Sequence, residues 1–141
     1  MAWLGQFHAV AVHLPIGLLL AAAIAELLLL LSGRGNLAHV TRFCIWLGAL
    51  GALLAATLGW FHIGWDLGHD DALIGPHRWL GTAVALWSIL LVVLVERAHR
   101  REGPRARRAF RLALLVGTLA LVVTAHYGGM IVHGPDYYHW P

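Results

Sequence analysis

The chain has no lysine, one cysteine, two serines and little charge: Asp, Glu, Lys and Arg make up only 12% of its 141 residues. An ordinary soluble domain carries roughly 25% charged residues, so composition excludes that class. The lone Cys44 rules out a disulfide framework, a cysteine-based metal motif and the Cys-x-x-Cys-His attachment of a c-type haem. Ser32 and Ser88 lie away from the histidine clusters, which leaves a hydrolase without a nucleophile. The basic residues are all Arg, and the isoelectric point is near 9.8. Most of them gather in one segment with no basic face interleaved with aromatics, so nucleic acid is not the expected partner.

What is abundant is apolar: 60% of the residues are hydrophobic and the mean hydropathy is +0.72. Four stretches of about twenty residues or more, each long enough to cross a bilayer, fill roughly two thirds of the chain. Span one runs from about Val10 to Leu31 and stops at the turn-rich Ser32-Gly33-Arg34-Gly35-Asn36. Span two runs from about Leu37 to Phe61 and leads into an acidic loop around Asp66, Asp70 and Asp71. Gly75-Pro76 opens span three, where a first-turn Pro sacrifices no hydrogen bond. Span three ends near Val95, an arginine-rich loop follows, and span four covers about Ala109 to Val132. The N-terminus has no basic region before its apolar run and reads as an uncleaved span. Residues 1–141 are thus expected to form one all-α membrane domain, a four-helix up-down-up-down bundle with consecutive helices antiparallel.

Arginines set the expected orientation. Seven lie between Arg97 and Arg111, and Arg34 and Arg42 flank the first turn, which assigns these segments to the cytoplasm. Both termini then face the periplasm of a bacterial inner membrane. Trp3, Trp60, Trp65, Trp79, Tyr127, Tyr137, Tyr138 and Trp140 fall at the outer boundary, as an interfacial belt does. Gly48, Gly51, Ala52, Ala55, Ala56 and Gly59 form a small-residue stripe suited to close helix packing. Glu26, near the inner end of span one, is within snorkelling reach of Arg34 or Arg42.

Ten histidines in so apolar a chain point to a ligand site or pathway, because ionisable groups at membrane depth are costly. His8, His13, His62, His69, His77, His126, His133 and His139 fall at the outer end, and only His39 and His99 at the inner. His39, His69, His99 and His139 read as interfacial side chains. His13, His77, His126 and His133 lie within or beside apolar segments and converge, which makes them candidate ligands of haem or of a metal ion, with His8 and His62 as further haem candidates. Seven residues separate His126 from His133, so the two share a helical face. His8 and His13 differ by about 140° of rotation and need not point the same way. A faint repeat matches His13 with His77 and His62 with His133. Gly128-Gly129 leaves a side-chain-free patch that fits either a flat ring or a packed helix.

Phe7-His8-Ala9-Val10-Ala11-Val12-His13-Leu14-Pro15-Ile16-Gly17 resembles the opening motif of a bacterial membrane-protein family catalogued as domain of unknown function 2231. Gly59-Trp60-Phe61-His62-Ile63-Gly64-Trp65-Asp66, His77-Arg78 and Gly128-Gly129-Met130-Ile131-Val132-His133-Gly134 resemble its later motifs, so the likeness covers essentially the whole chain. Ala9 departs from the pattern, which often has Pro there. Relatives occur fused or adjacent to Rieske and c-type cytochrome domains, and the resemblance therefore implies redox company.

The leading expectation is a b-type cytochrome-like electron-transfer subunit, more carrier than stand-alone enzyme. Haem b would be held by histidine pairs, His13 with His126 or His77 with His62 or His133, between a quinone donor and a periplasmic Rieske or c-type acceptor. Two alternatives remain open: a bare Cu, Zn or Fe site, and a cofactor-free accessory subunit that binds pigment, lipid or a partner within a larger respiratory or photosynthetic complex.

Overall fold

The computed structural model describes residues 2–65, 72–101 and 103–138. Six α-helices account for nearly all of them: α1 (Ala2–Gly5), α2 (His8–Ala11), α3 (His13–Ser32), α4 (Leu37–Ile63), α5 (Ile74–Arg101) and α6 (Pro104–His133). A 3-10 turn, Pro135–Tyr138, follows. Four segments are long and apolar enough to cross a membrane: Trp3–Ser32, Leu37–Ile63, Ile74–Arg100 and Pro104–His133. The chain is an all-α, multi-pass membrane protein.

The first span is broken where its sequence requires it. Pro15 has no N–H to bond back to Ala11, and α2 and α3 are separated by the single residue Val12, which stays right-handed helical (φ −63°, ψ −26°), donates to the His8 carbonyl at 3.0 Å and accepts from Ile16 at 3.3 Å. The two turns before the break, α1 and α2, therefore pack on α4 as separate pieces. A second difference from the sequence reading lies in the arginine segment. It is not a loop: α5 continues to Arg101 and α6 begins at Pro104, because Arg is a good helix former and nothing interrupts the run before Gly103. Gly103 is extended, with φ −87° and ψ 141°, and Pro104 occupies the first turn.

Around the bundle α3 packs on α4, α4 on α5, α5 on α6 and α6 back on α3, the arrangement of an up-down-up-down bundle. Residues 5–8 lie against the end of α4, and the start of α5 lies against α6 near Thr124, so both ends of the described chain share one end of the bundle. The interior interleaves small residues, with Ala22, Ala25, Ala49, Ala52, Ala55 and Ala85 all buried, and a few large ones, Leu19, Ile45, Leu91 and Phe110. Large side chains such as Leu27, Leu54, Leu115 and Val122 point outward. Lipid is as apolar as leucine, so such helices associate by close packing of small residues. The small-residue stripe of α4 does this: a Cβ at Gly48 would stand 3.2 Å from Leu19, and one at Gly51 would stand 3.0 Å from Leu14.

The bundle consists of two similar hairpins, α3–α4 and α5–α6. The sequence shift that carries His8 onto His77 also carries Gly48 onto Gly117, Ala55 onto Thr124, Gly59 onto Gly128 and Arg42 onto Arg111. The second helix of each hairpin ends at a left-handed-region glycine, Gly64 with φ 88° and Gly134 with φ 92°.

Candidate functional site

Two histidines enter the bundle at its chain-terminal end. His8, on α2, places its Nδ1 at 2.8 Å from the Ala55 carbonyl of α4. His77, on the first turns of α5, places its Nδ1 at 3.0 Å from the Thr124 carbonyl of α6. A carbonyl oxygen only accepts, so each Nδ1 carries the proton and each Nε2 keeps its lone pair. The bonds are equivalent members of the two hairpins, and each spans 47 residues of sequence. Each ring also lies on a glycine, since a Cβ at Gly59 or at Gly128 would stand 3.0 Å from the Cε1 of His8 or His77 respectively. Across the bundle the two rings face each other nearly perpendicularly, at an interplanar angle of 81° with centroids 6.0 Å apart.

The pair lines a small cleft with Ala56, Gly59, Trp60, Ile63, Arg78 and Gly81, open to the bundle surface. Arg78 is buried, its guanidinium 4.9 Å from the Trp60 ring centre. Trp60 is fixed in turn by donating to Thr82 at 3.0 Å and by stacking on Trp65. Trp3, Trp65 and Trp79 stand exposed around this end, as an interfacial belt requires.

The expected ligands are distributed differently from the sequence reading. His8 and His77 are half-buried, whereas His13, His62, His126 and His133 are exposed. His62 is close enough to His8 for charges on the two to interact. The anticipated ring pair of His13 with His126 is not among the ring contacts of the described residues: both side chains are exposed, and it is His8, on α2, that reaches the Ala55 carbonyl of α4. Matching His13 with His77 across the repeat is likewise corrected, because the equivalent of His77 in carbonyl partner, glycine bed and position is His8. Gly128 proves to be the bed of the His77 imidazole. His69, His139, Asp66, Asp70, Asp71 and Trp140 lie outside the described residues. Among the described residues, no group of three or more His, Cys, Asp or Glu side chains is placed to hold a metal ion.

The opposite end carries arginines and carboxylates. Arg42 on α4 grips Glu96 on α5 through two bonds of 2.5 and 3.2 Å, and the Trp46 indole donates to the same carboxylate at 2.9 Å. Arg111 on α6 donates to the buried Glu26 on α3 at 2.8 Å. Glu26 thus pairs with Arg111 and not with Arg34 or Arg42. Each pair joins one hairpin to the other. Sequence reasoning missed both, because the partners lie 54 and 85 residues apart.

A family model described as Predicted membrane protein (DUF2231) matches residues 6–135. No curated protein and no solved structure matches the chain.

Proposed function

The chain belongs to this membrane-protein family, and from the geometry of its paired imidazoles we propose that it is a b-type electron-transfer subunit in which His8 and His77 would hold one haem. The observation that carries the reading is the double anchoring of the rings. A ligating imidazole works best when its other nitrogen is hydrogen-bonded, which fixes tautomer and orientation, and both rings meet that condition through Ala55 and Thr124. The spacing also suits two ligands on one ion. With a metal–nitrogen distance of about 2.0–2.1 Å and about 1.1 Å more to each ring centre, ligands on opposite sides stand about 6 Å apart, against the 6.0 Å between these centroids.

The donor count favours haem over a bare ion. A structural zinc takes four protein ligands and a catalytic one takes three, whereas haem brings its own four nitrogens and asks two of the protein. Haem held by two histidines has no open position and supplies one-electron transfer without oxygen chemistry. The protein's part is to hold both rings through backbone carbonyls of rigid helices, to bed each on a glycine, and to leave the cleft between them open at the surface. With the arginine end in the cytoplasm of a bacterial inner membrane, the site faces the periplasm, where a Rieske or c-type cytochrome partner would accept electrons drawn from a membrane quinol.

The test is a reduced-minus-oxidised visible spectrum, with pyridine haemochrome analysis, of the purified wild type and four variants. His8→Ala and His77→Ala should each lose the b-type band while inserting normally, and His13→Ala and His126→Ala should keep it. A wild type that shows no band when haem is supplied during expression overturns the proposal and leaves a bare-ion site or an accessory subunit.

A further inference from the structure

A second cavity lies at the arginine end, remote from the histidine pair, and all four long helices line it. Its polar groups are Glu26 of α3, Thr41 of α4, His99 of α5 and Arg107 of α6, and Phe110 and Val95 form its apolar wall. The cavity is a small recess, open on one side and far below the size of a drug-sized pocket, so an occupant would seat at its mouth. The Glu26 carboxylate is neutralised by Arg111 at 2.8 Å, and the Thr41 hydroxyl is spent on the Leu37 carbonyl at 3.1 Å. The Arg107 side chain is half-buried and has no hydrogen-bond or ion-pair partner among the described residues, and the His99 ring on the same cavity meets the His39 ring, with centroids 5.2 Å apart. The uncompensated charge facing the cavity is therefore positive.

Position identifies the occupant. The cavity sits where the spans end, beside the outward-pointing Leu27, Leu30, Leu31 and Phe43 that face acyl chains. Basic pockets between helices at this level suit anionic lipid headgroups. We infer that the cavity binds the phosphate of one anionic phospholipid, Arg107 and His99 donating to it while Phe110 and Val95 pack on its glycerol end. The inference is independent of haem binding.

Native mass spectrometry of the full chain, released from detergent containing equal amounts of phosphatidylglycerol and phosphatidylcholine, tests it. One phosphatidylglycerol should remain on the wild type in preference to phosphatidylcholine. Arg107→Gln should lower that retention about fivefold, the factor expected for one basic residue at a headgroup. Arg108→Gln, an equal charge change at an exposed site, should leave retention unchanged. Equal retention of the two lipids, or equal losses in both variants, overturns the site in favour of a diffuse surface charge. Displacement of the lipid by millimolar inorganic phosphate overturns it in favour of a free-anion site. If Arg107→Gln does not fold, Arg107→Lys takes its place: it must retain the lipid, and its loss counts against the inference, while the two-lipid comparison on the wild type needs no variant.

Discussion

The two ends of the bundle are held together by different means. At the arginine end ion pairs cross from one hairpin to the other, Arg42 to Glu96 and Arg111 to Glu26. At the histidine end the ring anchors stay within each hairpin, His8 to Ala55 and His77 to Thr124, the two rings meet across the interface with no hydrogen bond between them, and a neutral bond from Trp60 to Thr82 crosses beside them. Ion pairs tie the hairpins at one end. Anchoring within hairpins at the other end makes each ring rigid while the space between the rings stays available. On the proposed function, the ion-pair ties and the ligand site are thereby separated along the membrane normal.

The comparison breaks most visibly at Glu26. Removing one member of a buried ion pair strands the other and costs about 3 kcal/mol or more, so Glu26→Ala should lower stability in mild detergent by that amount while leaving a haem band in place. If the band disappears with the stability, the ends are not independent. A smaller effect is expected at the ring beds. Gly59→Ala and Gly128→Ala each place a Cβ 3.0 Å from an imidazole carbon, costing about 1 kcal/mol or more through overpacking, and the two should weaken haem retention equally. A large difference between them in a haem-transfer assay would mean the hairpins are not functionally equivalent. Arg42→Ala should cost under about 1 kcal/mol in the same unfolding measurement as Glu26→Ala, because the Arg42 side chain is 41% exposed and exposed pairs contribute little. His13→Ala should stay within about 0.5 kcal/mol of wild type, as surface changes do, with an unaltered spectrum.

Much of the fold is legible in the residues themselves. Four apolar runs of bilayer length bounded by Gly33, Gly64, Pro76 and Gly103-Pro104 leave little choice of architecture, and the α4 stripe of small residues packs as its composition implies. The arginine segment misleads because charge reads as loop, although no residue from Glu96 to Arg101 breaks a helix. The site is only half legible. That histidines gather at one end follows from counting them. Which two face inward depends on how α2 packs on α4 and α5 on α6, which the spacing of histidines along one helix does not give. The repeat held the missing signal: the shift that aligns Gly48, Gly59 and Arg42 with Gly117, Gly128 and Arg111 selects His8 as the counterpart of His77, whereas the shift that matches His13 with His77 aligns none of them. The ion pairs were beyond reach because they depend on how the hairpins are apposed.

The most direct test of the central claim is electron paramagnetic resonance of the oxidised, haem-loaded protein. Two imidazole ligands held at an interplanar angle of 81° should give a low-spin ferric signal of the strongly anisotropic kind produced by perpendicular ligand planes, and either His8→Ala or His77→Ala should abolish it. A high-spin signal in the wild type, or a low-spin signal that survives both substitutions, would contradict the assignment of this pair as axial ligands.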